Sequence, residues 1–115
     1  MTVRFEGAQA IFRVENMKRA LDFYVGKLGF KNAEWGNEEF TSIARDRAAI
    51  YLCCGGQGRG AAWIWVGVED AEKLHEEFQT KGIKILTPPT NYSWALEFHV
   101  EDPDGNVLRF GSEPR

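Results

Sequence analysis

The chain has 115 residues, a formal net charge of -3 from 14 Lys and Arg against 17 Asp and Glu, and only two cysteines, which are adjacent. This length fits one domain that buries a core without disulfide or metal staples. No basic run could follow a phosphate backbone, no segment approaches the about 20 apolar residues of a membrane span, and the first residues lack the apolar region of a signal peptide. We therefore expect a cytoplasmic protein that binds neither nucleic acid nor membranes, with Cys53 and Cys54 reduced.

Two segments of the chain are similar to each other: VENMKRALDFYVGKLGFK in the first half and VEDAEKLHEEFQTKGIK in the second. In each, a preferred N-cap residue, Asn16 or Asp70, precedes apolar residues at three- and four-residue spacing. A glycine follows each apolar pattern, Gly29 in the first half and Gly82 in the second, and is predicted to cap the helix C-terminus. Each half therefore predicts a strand that enters a helix.

Three short strands are predicted after each helix, at 30–35, 39–45 and 48–54 in the first half and at 83–87, 95–101 and 106–111 in the second. The turn signals WGNEE, RDR, PPTN and DPDG separate them. The linker GGQGRG, residues 55–60, lacks the ending of a phosphate loop and is interpreted as a flexible joint. These patterns predict one α+β domain made of two modules, about 1–54 and 61–115, with helices on one face of each sheet. The opposite faces are expected to curve towards each other as a cup.

The segments VENMKRALDFYVGKLGF and EFHVEDPDGNVLRFG resemble the helix entry and the terminal strand pair of the vicinal oxygen chelate superfamily. This superfamily includes glyoxalase I, extradiol dioxygenases, fosfomycin-resistance transferases and bleomycin-resistance proteins. The resemblance covers essentially the whole chain. It implies two βαβββ modules that form a cup-shaped sheet with helices on the outer face.

Metal enzymes of this superfamily hold one divalent ion in the cup through side chains on the first and last strands of each module. The resemblance places Gln9, Tyr51, Trp63 and Arg109 at those four positions. Tryptophan offers no lone pair, arginine is a cation, and glutamine and unionised tyrosine are weak ligands. We therefore expect no metal and no other cofactor.

The two histidines have different settings. His75 falls beside the polar stripe of the second predicted helix and is interpreted as a solvated residue. Around His99, strand alternation places Leu96, Phe98 and Val100 on one face and Ala95, Glu97 and His99 on the other, which is either the cup side or an exposed edge. For Glu97 and His99, the open alternatives are an accidental exposed pair, a ligand-binding role, an acid–base role and, least favoured, a metal-binding role.

One concave surface is predicted to carry the ligand-binding residues Gln9, Arg13, Tyr51, Trp63, Trp65, Glu97, His99 and Arg109. Trp63 and Trp65 either offer ring faces for stacking or fill the cup as core. Arg109 is expected to pair with an anionic group of the ligand, or with Glu97 when no ligand is present.

The resemblance favours a metal-free protein that sequesters a planar or heteroaromatic compound. It is similar in this to the bleomycin-resistance branch, whose members confer antibiotic resistance by binding drug in the clefts of a homodimer. A homodimer is also expected because the sheet edges of such short modules would otherwise stay unpaired. The alternative is an enzyme: a metal-dependent lyase, isomerase or dioxygenase, or a metal-free catalyst that uses His99 and Glu97 for proton transfer. No nucleophile motif such as G-x-S-x-G supports catalysis.

Overall fold

The first half of the chain forms a four-stranded sheet with one helix. The structure is a computed structural model that describes residues 2–115. Its first elements are β1 (Ile11–Arg13), α1 (Met17–Tyr24), β2 (Lys31–Asn32), β3 (Phe40–Arg45) and β4 (Ala48–Cys53). The strand order is β1-β4-β3-β2, and β1 runs parallel to β4 while the other neighbours are antiparallel.

The second half repeats this arrangement after residues 55–60, which contain no helix or strand. Its elements are β5 (Trp63–Gly67), α2 (Ala71–Thr80), β6 (Ile85–Asn91), β7 (Leu96–Glu101) and β8 (Val107–Ser112), in the sheet order β5-β8-β7-β6. The predicted α+β fold of two βαβββ modules is confirmed.

Both helices begin where the sequence predicts. The side chain of Asn16 accepts a hydrogen bond from the Arg19 amide at 2.8 Å, and that of Asp70 accepts one from the Lys73 amide at 3.0 Å. Gly82, at φ +69°, directly follows the C-terminal cap of α2, as predicted. Neither of the two helices found in residues 2–115 is long and apolar enough to cross a membrane.

The prediction that Gly29 caps α1 is wrong. The helix ends at Tyr24, because the amides of Lys27 and Leu28 both bond to the Phe23 carbonyl at 3.0 Å and form an irregular turn. Gly29, at φ +80°, ends that turn and directs the chain into β2.

The prediction of a turn at PPTN is also wrong, because Pro88 and Pro89 lie inside β6. Proline has no amide to donate, and it is tolerated in edge strands and at irregular pairing. β6 meets both conditions: it is the edge of its sheet, and its register with β7 shifts on either side of Thr87. The reversal comes later, where the Tyr92 amide donates to the Ala95 carbonyl at 2.8 Å. The turns predicted at WGNEE, RDR and DPDG are present.

The helix-facing sides of both sheets contribute to one hydrophobic core, which includes Phe12, Ile43, Ile50 and Leu52 from the first sheet and Val66, Phe98, Leu108 and Phe110 from the second. One buried and one partly buried polar contact also join the two halves. The Tyr24 hydroxyl donates to Asp102 at 2.8 Å, and the Asn106 side-chain amide donates to the Arg13 carbonyl at 3.1 Å. Because both helix-facing sides belong to the same core, the helix-free sides of both sheets point away from it. These helix-free sides are called the outer faces of the two sheets from here on.

Candidate functional site

The outer face of the second sheet brings together most of the predicted binding residues. The strand registers place Trp65, Arg109 and His99 side by side on β5, β8 and β7. Glu97 lies two positions from His99 on the same strand and therefore on the same face. Phe98, between them, stacks on Phe110 in the core, whereas Glu97 and His99 contact each other, so the predicted alternation of β7 is confirmed.

Glu97 is the centre of this group, with a side chain that is only 2% exposed. Its Oε1 accepts hydrogen bonds from Nε and Nη2 of Arg109 at 3.1 and 2.9 Å, and lies 2.9 Å from Nε2 of His99. Its Oε2 accepts a hydrogen bond from the indole of Trp94 at 2.9 Å. Of the two partners foreseen for Arg109, Glu97 is the one that it contacts.

These contacts set the charge of Glu97. Burial by itself raises the pKa of the carboxyl group, but the hydrogen bonds from His99, Trp94 and Arg109, together with the charge of Arg109, outweigh burial and hold the pKa below its ordinary value. The carboxylate is therefore ionised near neutral pH and can only accept hydrogen bonds. It follows that Nε2 of His99 carries a proton and donates to Glu97.

Three exposed tryptophans surround this polar centre. Trp63, Trp65 and Trp94 are 58%, 49% and 63% exposed, so they do not fill a core of this chain. The Arg109 guanidinium lies 5.6 Å from the centre of the Trp65 ring, within cation–π range. The Trp63 ring meets His99 nearly edge-on, with centroids 5.6 Å apart. Flat aromatic surface thus adjoins a paired cation and anion.

Trp94 was not among the predicted site residues. It precedes β7 in a turn, where strand alternation does not assign a face. The one sequence signal for a contact was the spacing: an indole N–H donor lies three residues before a carboxylate acceptor, Glu97. Its ring stacks on Tyr92 at 4.6 Å between centroids. Beside it lies a cleft of about 450 Å³ lined by Trp65, Gly67, Val68, Glu69, Trp94, Ala95, Gly111, Ser112 and Glu113.

A second, smaller group lies on the outer face of the first sheet. Gln9 was predicted on the first strand but precedes β1, and its side-chain amide donates to the Ser42 hydroxyl at 3.0 Å. Tyr51 lies on β4 as predicted, and its ring centroid is 5.1 Å from that of Phe40. Phe40 in turn stacks on Trp35 at 6.3 Å. The Trp35 turn therefore adjoins this face.

The predicted residues thus lie on two different sheets, in groups that make no direct contact with each other. In residues 2–115, no hydrogen bond, ion pair or ring contact joins Gln9 or Tyr51 to the group around Glu97. Arg13 has its Nε buried without a hydrogen-bond partner, and its Cβ lies under Gly58 of the linker.

The residues at the four metal-ligand positions do not fit a divalent ion. Gln9 donates its amide to Ser42, Trp63 presents only an indole, and Arg109 places a cation beside Glu97. No group of three His, Cys, Asp or Glu side chains suited to a metal occurs within residues 2–115. His75 does not add a ligand: it is half-buried and edge-on to Phe98 at 5.3 Å, rather than fully solvated as interpreted from the sequence.

Comparison with known families decides the classification. The model described as the Glyoxalase/Bleomycin resistance protein/Dioxygenase superfamily matches residues 8–110. The chain belongs to this superfamily. No curated protein matches the sequence of this superfamily member.

Solved structures share its fold at low identity. The bleomycin-binding protein from bleomycin-producing Streptomyces verticillus, complexed with copper(II)-bleomycin, has a TM-score of 0.81 and 23% identity, with coverage of 96% of this chain and 98% of that one. TnmS3, an antibiotic binding protein from Streptomyces sp. CB03234, has a TM-score of 0.83 and 21% identity, with 97% and 99% coverage. A protein from the mobile metagenome of V. Pseudocholerae has a TM-score of 0.79 and 17% identity, with full coverage of both chains.

Gly111 leaves space on β8 that the Trp65 ring occupies. A Cβ at Gly111 would overlap the six-membered part of that ring, so Gly111→Ala is expected to displace Trp65 and change its near-ultraviolet circular dichroism and fluorescence. Gly56→Ala is the matched control, because a Cβ there meets nothing within 4 Å. Equal spectra for wild type and Gly111→Ala would contradict this placement of the indole.

Proposed function

We propose that this protein is a metal-free, cytoplasmic small-molecule binding protein that sequesters a flat, partly apolar compound. The observation that carries the proposal is the set of three exposed tryptophans around the buried Glu97 and its partner Arg109. Single exposed apolar residues are ordinary, but three large aromatic side chains beside one polar centre indicate a binding surface. The superfamily relationship adds support, since two proteins of the same fold are described as binding bleomycin and an antibiotic.

The contacts indicate how such a compound would be held. Trp65 and Trp94 line the 450 Å³ cleft and offer ring faces for stacking, each contact contributing about 1 kcal/mol. Arg109 uses Nε and Nη2 on Glu97, and its Nη1 makes no hydrogen bond within residues 2–115. That nitrogen is free to donate to an acceptor at the edge of a stacked ring. Because Glu97 already balances the charge of Arg109, the site favours a neutral or weakly anionic acceptor over a strong anion.

Direct titration tests the proposal. Protein purified without added ligand is titrated with metal-free bleomycin and with a panel of flat heteroaromatic compounds while tryptophan fluorescence is followed. We expect saturable quenching with a Kd below millimolar for at least one compound, and elemental analysis of the same preparation showing less than one metal ion per chain. The absence of binding below millimolar across the panel would defeat the sequestration function, and one tightly held metal ion per chain would defeat its metal-free form.

We further propose that the functional unit is a homodimer. Within one chain the two outer faces point away from the shared core, so a second copy is needed to bring the first-sheet face, with Tyr51, Phe40 and Trp35, against the second-sheet face. Light scattering is expected to give twice the 13.1 kDa chain mass. A monomer at all concentrations would restrict the binding site to the outer face of the second sheet.

A further inference from the structure

His99 has the geometry of an oriented base. Its Nε2 donates to the ionised Glu97 at 2.9 Å, which fixes the ring and leaves Nδ1 with the lone pair whenever the imidazole is neutral. A histidine held by a buried carboxylate through one nitrogen, with the other nitrogen free, is the arrangement that general-base catalysis needs.

The second nitrogen of His99 is accessible. Within residues 2–115, the side-chain polar atoms that are buried without a partner are Arg13 Nε and Asp104 Oδ2. His99 Nδ1 also makes no hydrogen bond within these residues, yet it is not one of the buried atoms without a partner. Nδ1 is therefore in contact with solvent, although the His99 side chain as a whole is only 13% exposed. The Trp63 ring lies beside the imidazole, with ring centroids 5.6 Å apart, so a flat substrate that reaches His99 would also meet an aromatic side chain.

The neighbour of His99 on β8 supplies complementary charge. Arg109 stands opposite His99 in the strand register, and its Nη1 is free to donate within the described residues. A guanidinium at this position stabilises negative charge that develops on a substrate as it loses a proton.

From this geometry we propose that His99 acts as a general base towards flat heteroaromatic carbon acids that stack on the tryptophans, with Arg109 stabilising the anion that forms. This activity rests on the proposed binding site and goes beyond sequestration. In the step, the carbon–hydrogen bond breaks and its proton passes to Nδ1 of His99. The electron pair of the broken carbon–hydrogen bond stays on the substrate, where it displaces a leaving group within the same molecule or is delocalised into the ring system. No oxidant, reductant or second substrate is needed.

The probe is 5-nitrobenzisoxazole, a flat heteroaromatic carbon acid. Removal of its C–H proton forms a nitrile, the electron pair of the broken N–O bond moves to oxygen, and the coloured 2-cyano-4-nitrophenolate is released. We expect the wild-type protein to release it at least about tenfold faster than the same concentration of His99→Gln, since a positioned base contributes roughly 10²–10⁴-fold. His75→Gln is the matched control. It replaces the chain's second histidine, which lies on α2 and not on the sheet, and it should leave the rate unchanged.

A parallel titration with 5-nitrobenzotriazole, a flat compound that lacks the labile N–O bond, separates the two proposals. If it binds to wild type and to His99→Gln, while only wild type and His75→Gln release phenolate, the assignment of His99 stands. If 5-nitrobenzotriazole binds but His99→Gln releases phenolate as fast as wild type, the assignment of His99 as the base is wrong, while the proposed binding function is unaffected. If neither compound interacts with the folded wild-type protein, both the activity and its binding of flat compounds fail.

Discussion

Replacing Glu97 with glutamine is expected to lower the free energy of unfolding by about 2 kcal/mol at neutral pH. The carboxylate is almost fully buried and joins Arg109, His99 and Trp94, and a neutral amide cannot accept from all three with the same strength. This value lies below the about 3–5 kcal/mol that a fully buried broken ion pair costs, because Arg109 is 37% exposed and solvent partly screens the interaction. Urea unfolding monitored by circular dichroism measures the change.

The effect should depend on pH in a defined direction. The folded pKa of Glu97 is lowered, so its carboxylate stabilises the protein above the unfolded pKa, and this contribution is lost as the pH falls through the folded pKa. The difference between wild type and Glu97→Gln should therefore be largest near neutral pH and shrink below about pH 4.

Glu101→Gln provides the matched control, since Glu101 lies on the same strand but is exposed. It should change stability by less than about 0.5 kcal/mol. Two results would contradict the role of Glu97 as an ionised carboxylate that stabilises the fold. One is a stability difference between wild type and Glu97→Gln that does not depend on pH, and the other is an equal loss of stability in Glu101→Gln.

Replacing Trp65 with alanine should weaken binding of a flat ligand by about 1–3 kcal/mol, which is roughly a 5- to 150-fold increase in Kd. Trp65 lies beside Arg109 in the strand register, contacts its guanidinium and lines the cleft, so its loss removes both a stacking face and a support for the polar anchor. Fluorescence titration reports the affinity through the remaining tryptophans, and thermal unfolding verifies that the variant is folded.

Trp35→Ala then distinguishes the two forms of the site. Trp35 stacks on Phe40 at the outer face of the first sheet, away from the group around Glu97. If one chain holds the ligand alone, this variant should bind as wild type does. If the cleft is shared in a dimer, affinity should fall for Trp35→Ala as well. Unchanged affinity in folded Trp65→Ala would refute the stacking role of Trp65.

The sequence alone determined the repeated architecture and much of the second-sheet site. Local capping chemistry at Asn16 and Asp70 and the period-two pattern of β7 are properties of neighbouring residues, so they can be recognised without tertiary information. The same alternation placed Glu97 and His99 on one face. The superfamily resemblance extended this to the positions of Trp63 and Arg109.

Only the tertiary structure decided features that depend on which strands are neighbours. PPTN reads as a turn in isolation. In the structure it lies in an irregular edge strand, where the prolines are accommodated because the shifted register does not require an N–H donor from either of them. Trp94 joins the site because the chain folds back onto Glu97, and no periodicity encodes that contact.

The burial and charge of Glu97 likewise arise from pairing rather than from its own strand. β8 lies against β7 and brings Arg109 to the carboxylate, and these contacts convert an apparently exposed acidic residue into an ionised, nearly inaccessible centre. The division of the predicted cup into two outer faces has the same origin. Sequence alternation specifies which side chains share a face of one sheet, whereas the packing of both helix-facing sides into a single core determines where the two faces point.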